Sequence, residues 1–158
     1  MVTNMQILDW VLAKHPGKVD EYSDRYEISH ESGRHSTMFK NISRNIIPGL
    51  DALGDAYVKY DGMDLFSSAF KLSSMHSSKF IEGVKLIESI HEFAKYVATV
   101  KPAFPEQTIP FMYQSGIAIY AVGKYSGRIF EWDIEGLALT TEFENLIDIF
   151  EEWSEAVA

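Results

Sequence analysis

The sequence contains no cysteine, and this absence removes several classes of function at once. Without thiols the chain forms no disulfide bond, no thiolate zinc site, no iron–sulfur cluster and no cysteine nucleophile. It also lacks an uncharged apolar run near the roughly 18 residues that a membrane-spanning helix needs. The first residues do not show the basic and then apolar order of a secretion signal. We therefore expect a soluble, cytoplasmic protein that does not enter membranes.

Basic residues are few, with 14 lysines and arginines against 23 aspartates and glutamates and a formal net charge of −9. Residues 1–79 hold nine basic and ten acidic residues, whereas residues 80–158 hold five and thirteen. From Glu131 onward there are nine acidic residues and no lysine or arginine. A negative field repels phosphate backbones, so direct binding to nucleic acid is not expected.

The chain has the size and composition of one globular domain. It has 158 residues, of which 46% are hydrophobic and 13% aromatic. This length is enough to bury well over half of the unfolded surface, and the composition lies far from that of disordered chains. We expect a single domain over residues 1–158.

Helical spacing of apolar residues predicts the helices. The first is a short helix that follows the cap residue Asn4 and ends at Pro16-Gly17. Two more are predicted over 48–60 and, with about five turns, over 81–98. The final helix begins with a Thr141–Glu144 capping box and includes Trp153. Asp61-Gly62-Met63-Asp64 is interpreted as a turn, with a strand after it up to Leu72. Residues 18–43 are polar, show no period of either kind, and are predicted to be mostly irregular.

Short apolar runs later in the chain predict strands at 109–113, 117–122 and 128–134. Glycine-bearing connections of hairpin length separate these strands, so neighbours should pair antiparallel, and Gly136 marks a further turn. The predicted class is α+β: an antiparallel β-meander covered by helices on one side, with helices at both ends of the chain.

Three carboxylates alternate along the last predicted strand. Glu131, Asp133 and Glu135 should share one face, with Trp132 and Ile134 on the other. Such a group can hold a cation or act as an acid and base pair, it can be an ordinary solvent face, or it can be a negatively charged docking face. The charge around it favours the docking face over the catalytic hypothesis.

Other arrangements that carry chemistry find little support. His30 and His35 stand five residues apart and His76 lies elsewhere, without the helical spacing of a metal-binding histidine pair. Serine, histidine and aspartate are present, but there is no Gly-x-Ser-x-Gly turn and no glycine-rich phosphate loop. We predict no catalytic residue, no metal ligand and no cofactor.

Several short motifs occur in a familiar order. They are Ile47-Pro48 before a helix that reaches Tyr60, then Asp61-Gly62-Met63-Asp64-Leu65-Phe66, Ile109-Pro110-Phe111, a strand over 116–122, Gly127-Arg128-Ile129-Phe130-Glu131-Trp132-Asp133, and the segment 143–153. This order resembles the SUKH superfamily, which includes yeast cell-wall synthesis regulators and many bacterial immunity proteins. The resemblance covers residues 46–158, with 1–45 as a helix and an irregular extension.

The resemblance implies a non-catalytic α+β binding module. Bacterial members typically neutralise a cognate toxin, often a nuclease with a basic surface. Together with the acidity, this leads to the hypothesis of an immunity protein that binds a basic protein partner through Glu131, Asp133 and Glu135, with Asp61 and Asp64 as further contacts. The alternatives are a regulatory scaffold of the same fold without a toxin, and a small hydrolase.

Overall fold

The computed structural model describes residues 7–105 and 107–152. Its strands are β1 (Gly17–Glu21), β2 (Arg25–His30), β3 (His35–Lys40), β4 (Tyr60–Leu65), β5 (Phe70–Leu72), β6 (Lys79–Ile81), β7 (Val84–Ile87), β8 (Thr108–Gln114), β9 (Ala118–Gly123), β10 (Ile129–Asp133) and β11 (Ala138–Phe143). Its helices are α1 (Ile7–Lys14), α2 (Asp55–Val58), α3 (Ile90–Val100) and α4 (Leu146–Glu152), with a 3-10 turn at Leu50–Leu53.

Nine of these strands form one antiparallel sheet in the order β1-β2-β3-β4-β5-β8-β9-β10-β11, and β6 and β7 form a separate hairpin. The predicted α+β class and antiparallel meander are confirmed. The strands predicted at 109–113, 117–122 and 128–134 are β8, β9 and β10, and they pair with their neighbours as expected. The turn at Gly136 connects β10 to β11.

The sheet is covered on both faces. One face, which we call the major face, carries Phe70 and Tyr120 into the larger core together with residues of α1 and α4. The opposite, minor face carries Ile119 and Trp132 against Phe93 of α3. The predicted placement of helices on one side therefore applies to α1 and α4, whereas α3 and the β6–β7 hairpin cover the other side.

Helices α1 and α4 are joined through one tryptophan. The Trp10 ring stacks on Phe150 at 5.1 Å between centroids, and its indole N–H donates to Glu151 Oε1 at 2.7 Å. Lys14 Nζ lies 2.9 Å from Glu151 Oε2. The predicted first helix is confirmed and ends before Pro16, while its predicted cap, Asn4, lies outside the described residues.

The irregular structure predicted for residues 18–43 is wrong, because this segment forms β1, β2 and β3. Its polar residues find partners within the sheet. The carbonyl oxygen of His15 lies 2.6 Å from His30 Nδ1, so this nitrogen carries the proton. The Ser36 hydroxyl lies 2.7 Å from His30 Nε2 and accepts the Phe66 N–H at 2.9 Å. Buried polar residues, His30 and Ser36, thus occupy inward positions of these strands. The apolar alternation by which strands are recognised in a sequence is therefore missing.

The helix predicted over 48–60 is shorter than expected, because Gly54 with φ of 65° separates the 3-10 turn from α2. The predicted turn at 61–64 is also wrong, since these residues lie within β4. Gly62 has φ of 101° there, and a Cβ at this position would lie 3.2 Å from Ile87 of the hairpin. The chain reverses at Phe66, Ser67 and Ser68, all with positive φ.

The helix predicted over 81–98 is wrong in its first half. Residues 79–87 form the β6–β7 hairpin, whose turn places Glu82 and Gly83 at φ of 51° and 79°. Helix α3 begins after Ser89, whose hydroxyl accepts the Glu92 N–H at 3.2 Å. The threefold spacing of apolar residues across the turn imitates a helix.

The capping box predicted at Thr141 is wrong as well, because Thr141 lies in β11. Asn145 takes the capping role for α4, and its Oδ1 accepts the Asp148 N–H at 3.1 Å. Trp153, which we assigned to this helix, lies outside the described residues.

Glu151→Ala should lower the free energy of unfolding by about 1–3 kcal/mol at neutral pH, because the buried Trp10 N–H loses its acceptor. The indole N–H first, and Lys14 second, lower the pKa of Glu151 from its ordinary value of 4.5. A lowered folded-state pKa contributes stability that is present above the unfolded-state pKa and is lost as the pH falls through the folded-state pKa. The difference from wild type should therefore shrink in acid.

Urea unfolding at neutral pH and well below the ordinary pKa measures this effect. Glu152→Ala, which changes the exposed neighbour, is the matched control and should change stability by no more than about 0.5 kcal/mol. Equal losses for the two variants would contradict the role assigned to the Trp10–Glu151 bond.

Candidate protein-binding surface

Glu131 does not lie on an exposed face. It is 8% exposed, and its side chain is on the major face beside Tyr120, its partner in β9. Glu131 Oε2 lies 2.8 Å from the Tyr120 hydroxyl, and Glu131 Oε1 accepts from Thr140 Oγ1 at 2.6 Å. The prediction that Glu131 contributes to a solvent-exposed docking face is wrong, and its carboxylate instead links β9 to β11.

Asp61 and Asp64 are also buried, so the prediction that they lie on an exposed turn is wrong. Both belong to β4, whose six residues are all buried. Asp61 accepts the Met75 N–H at 2.6 Å and lies 3.1 Å from Lys79 Nζ of the hairpin. These contacts attach the segment after β5 and the hairpin to the minor face.

Asp64 closes the left-handed turn that follows β4. Its two oxygens accept from the N–H of Ser68 at 2.7 Å and from the Ser68 hydroxyl at 2.8 Å. Burial raises the pKa of Asp64, while the bonds from Ser68 and the charge of Lys71 oppose this rise. Carboxylate-to-backbone bonds of this kind stabilise turns. They give Asp64 and Ser68 a structural role that requires no catalytic reaction.

Asp133 and Glu135 lie nearer to solvent than the other three predicted residues. Asp133 ends β10 and its Oδ1 accepts the Glu135 N–H at 2.9 Å, which shapes the turn before β11. Glu135 follows the strand and is exposed. The structure thus brings Asp133 and Glu135 together, and separates them from Asp61 and Asp64, which lie four strands away on the minor face.

The exposed acidic residues of this region surround β11 instead. We define the β11 edge as residues 136–141, which are the last two residues of the turn and the first four of β11, and all six are exposed and uncharged. Asp133 and Glu135 precede this edge, and Glu142 and Glu144 follow it. Glu142 is paired with Arg128 at 2.8 Å, whereas no ion pair involves Glu135 or Glu144 among the described residues. The edge is therefore an uncharged segment between two acidic ends.

The two edges of the sheet differ in how they are protected. Sheet edges leave backbone N–H and C=O groups unpaired, and charged side chains commonly shield them. β1 carries Lys18, Asp20 and Glu21 along its length. β11 ends the other side of the sheet and exposes Leu139 by 39%, and Leu137 in the turn before it is 65% exposed. Among the residues that the structure describes, β11 is the edge whose first four residues carry no charge.

Sequence analysis missed β11 as a strand, although one signal for it was present. The Gly136 turn follows a strand ending in Asp133, and the next residues, Ala138 to Phe143, contain two threonines, a β-branched residue type that favours strands. The Thr-x-x-Glu pattern at 141–144 obscured this signal, because the same residues satisfy a helix-start motif.

A cavity of about 350 Å³ lies on the minor face between β5, β8, α3 and the hairpin. Phe93, Tyr96 and Tyr113 form a chain of ring contacts along it. Its cation, Lys71, donates to the Leu86 carbonyl at 3.2 Å and lies 3.9 Å from Asp64. Burial raises the pKa of Tyr96, with Tyr113 adding to the rise. The lining mixes both charges with aromatic rings and favours no single ligand.

The histidines considered as metal ligands are apart. Both ring nitrogens of His30 are engaged in the buried network with His15 and Ser36, whereas His35 and His76 are exposed on separate segments. Within residues 7–105 and 107–152, no cluster of three histidine or carboxylate side chains is arranged to hold a metal ion. In the same part of the chain, no helix has the length and apolar character to cross a membrane.

Charge reversal should destabilise the fold at a buried carboxylate and have little effect on stability at an exposed one. Glu131→Lys should destabilise the fold by at least about 3 kcal/mol, because it buries an unpaired ammonium beside the Tyr120 hydroxyl. Glu135→Lys, the matched control four residues on, should change stability by no more than about 0.5 kcal/mol. Thermal and urea unfolding of both variants tests this, and similar stabilities would contradict the burial of Glu131.

No protein-family model matches this chain, and neither a curated protein nor a solved structure shows significant similarity to it.

Proposed function

We propose that this chain is a non-catalytic protein-binding module of the SUKH type, acting in the cytoplasm as an immunity protein that neutralises a toxin with a basic surface. The observation that carries the proposal is the exposed β11 edge with Glu135 and Glu144 near its ends, neither of which forms an ion pair with a described residue. The partner is a protein and not a nucleic acid, because the same charge repels phosphates.

The acidic charge of this surface favours both fast and selective binding of a basic partner. Residues 131–152 contain eight acidic side chains and no lysine or arginine. Among the described residues of this range, Glu135, Glu144 and Glu152 are exposed without an ion pair, and the first two lie next to β11. Complementary charge accelerates the encounter of two proteins and disfavours acidic competitors. A toxin that binds nucleic acid carries the matching positive field.

The residues that carry the proposal differ in part from those predicted from the sequence. Asp133 and Glu135 remain in the binding surface, and Glu142 and Glu144 join them at the other end of β11. Glu131 takes a supporting role, because its bond to Thr140 Oγ1 holds the edge from the major face. Asp61 and Asp64 are not included, since the ion pair of Asp61 with Lys79 holds the hairpin and the hydrogen bonds from Ser68 to Asp64 hold the turn.

A regulatory scaffold would use the same surface without a toxin. Both forms of the proposal require a basic protein partner, and they differ in the biological effect of binding. Relief of toxicity supports the immunity form, whereas binding without relief supports the regulatory form.

The test uses the protein encoded beside this chain in its genome. Glu135→Lys together with Glu144→Lys should weaken its binding by at least about tenfold at low salt, and by less at about 0.5 M salt, where charges are screened. Titration calorimetry measures the affinity, and co-expression measures survival of cells that make the neighbouring protein.

The matched control is Glu31→Lys together with Glu82→Lys, which changes the net charge equally at exposed positions away from β11. We expect this control to bind almost as well as wild type. Equal weakening by both pairs would show that only overall charge matters, and no weakening by either would remove the acidic ends of β11 from the interface.

A further inference from the structure

We infer that the β11 edge receives an extended segment of the partner as an additional antiparallel or parallel strand, and that this segment carries basic residues at both of its ends. The inference rests on the proposed function and specifies how the same surface binds. It makes backbone hydrogen bonds the main contact and places the charge contacts at the ends of the added strand.

The first support is the state of the edge itself. Among residues 7–105 and 107–152, β11 pairs with β10 only, so no described strand engages the outward backbone N–H and C=O groups of β11. The side chains of residues 136–141 include no charge, no proline and no aromatic ring that would block an approaching strand. Strand addition of this kind uses main-chain bonds for affinity and alternate side chains for selectivity.

The second support is that the edge is held in place before binding. The register shifts between Glu131 and Trp132, and the extra residue of β11, Thr140, turns its hydroxyl to the buried Glu131 carboxylate. At the end of the strand, Phe143 packs in the major core near Tyr120. An edge fixed at both its bulge and its end loses little conformational entropy when a strand is added.

The third support is the distribution of charge, which identifies the occupant. A second copy of this chain would bring the same acidic ends together and repel itself. An uncharged segment with lysine or arginine at both ends instead fits Asp133 and Glu135 on one side and Glu144 on the other. The six residues of β11, Ala138–Phe143, span about 17 Å, so the segment of the partner that pairs with them is about five residues long.

The experiment uses a synthetic peptide with a five-residue core of alternating valine and threonine and two lysines at each end. In amide NMR spectra of the whole chain, we expect shifts and slowed hydrogen exchange at residues 137–142. The β1 amides, at the other edge of the same sheet, serve as the internal control and should not change. A peptide with glutamates in place of the lysines should bind at least about tenfold more weakly.

Two further peptides distinguish strand addition from charge contact. One is N-methylated at the odd core amides and the other at the even ones, so that all their charges are kept. In a strand, successive amides point to opposite sides, so one of the two peptides should lose binding by at least about tenfold and the other should retain it.

Equal binding by the two methylated peptides would overturn strand addition while leaving the acidic surface of the proposed function intact. Shifts at β1 equal to those at β11, or no binding of the lysine-flanked peptide, would also overturn the inference. The proposed function fails separately, when neither pair of charge reversals alters binding to the neighbouring protein.

Discussion

The central strands are buried on both faces, and this constraint determines where the charge of the molecule lies. Every residue of β4 and of β9 is buried, including Asp61 and Asp64. A carboxylate in such a strand needs a partner, because an unpaired buried charge is strongly unfavourable. Lys79 and Lys71 supply those partners on the minor face, and covering that face requires both the hairpin and α3.

The same constraint explains why the surface near β11 differs from the rest. β10 is the last strand with both faces covered, and β11 beside it is exposed except at Phe143. Glu131 lies at the boundary between the covered strands and the exposed β11. Its bonds to Tyr120 and Thr140 connect β9 to β11. Near β11 the accessible acidic residues therefore lie at either end of the strand.

The sequence predicts well those parts of the fold whose signals are local. The meander of β8, β9 and β10 follows from apolar runs and glycine turns, and α1 follows from its apolar spacing and Pro16. The prediction for residues 18–43 is wrong because the strands there are stabilised by distant partners, such as Ser36 with Phe66, and not by apolar alternation. The β6–β7 hairpin was predicted as a helix because apolar residues on both sides of its turn repeat every three positions.

The candidate site was predicted in its character but only partly in its residues. The excess of acid after residue 131 indicated the region in which the proposed surface lies, and Asp133 and Glu135 belong to it. Burial of Glu131 depends on Tyr120, eleven positions away, and on a register shift that no sequence pattern records. Ser89 before Glu92 and Asn145 before Asp148 were available signals that would have corrected two helix boundaries.

The joining of α1 to α4 has a consequence for synthesis of the chain. Trp10 leaves the ribosome early, yet its stacking partner, Phe150, and its acceptor, Glu151, emerge only after every strand of the sheet has been made. Until α4 is made, Trp10 can contact Phe66 but neither Phe150 nor Glu151. The major core is therefore completed only after α4 has been synthesised.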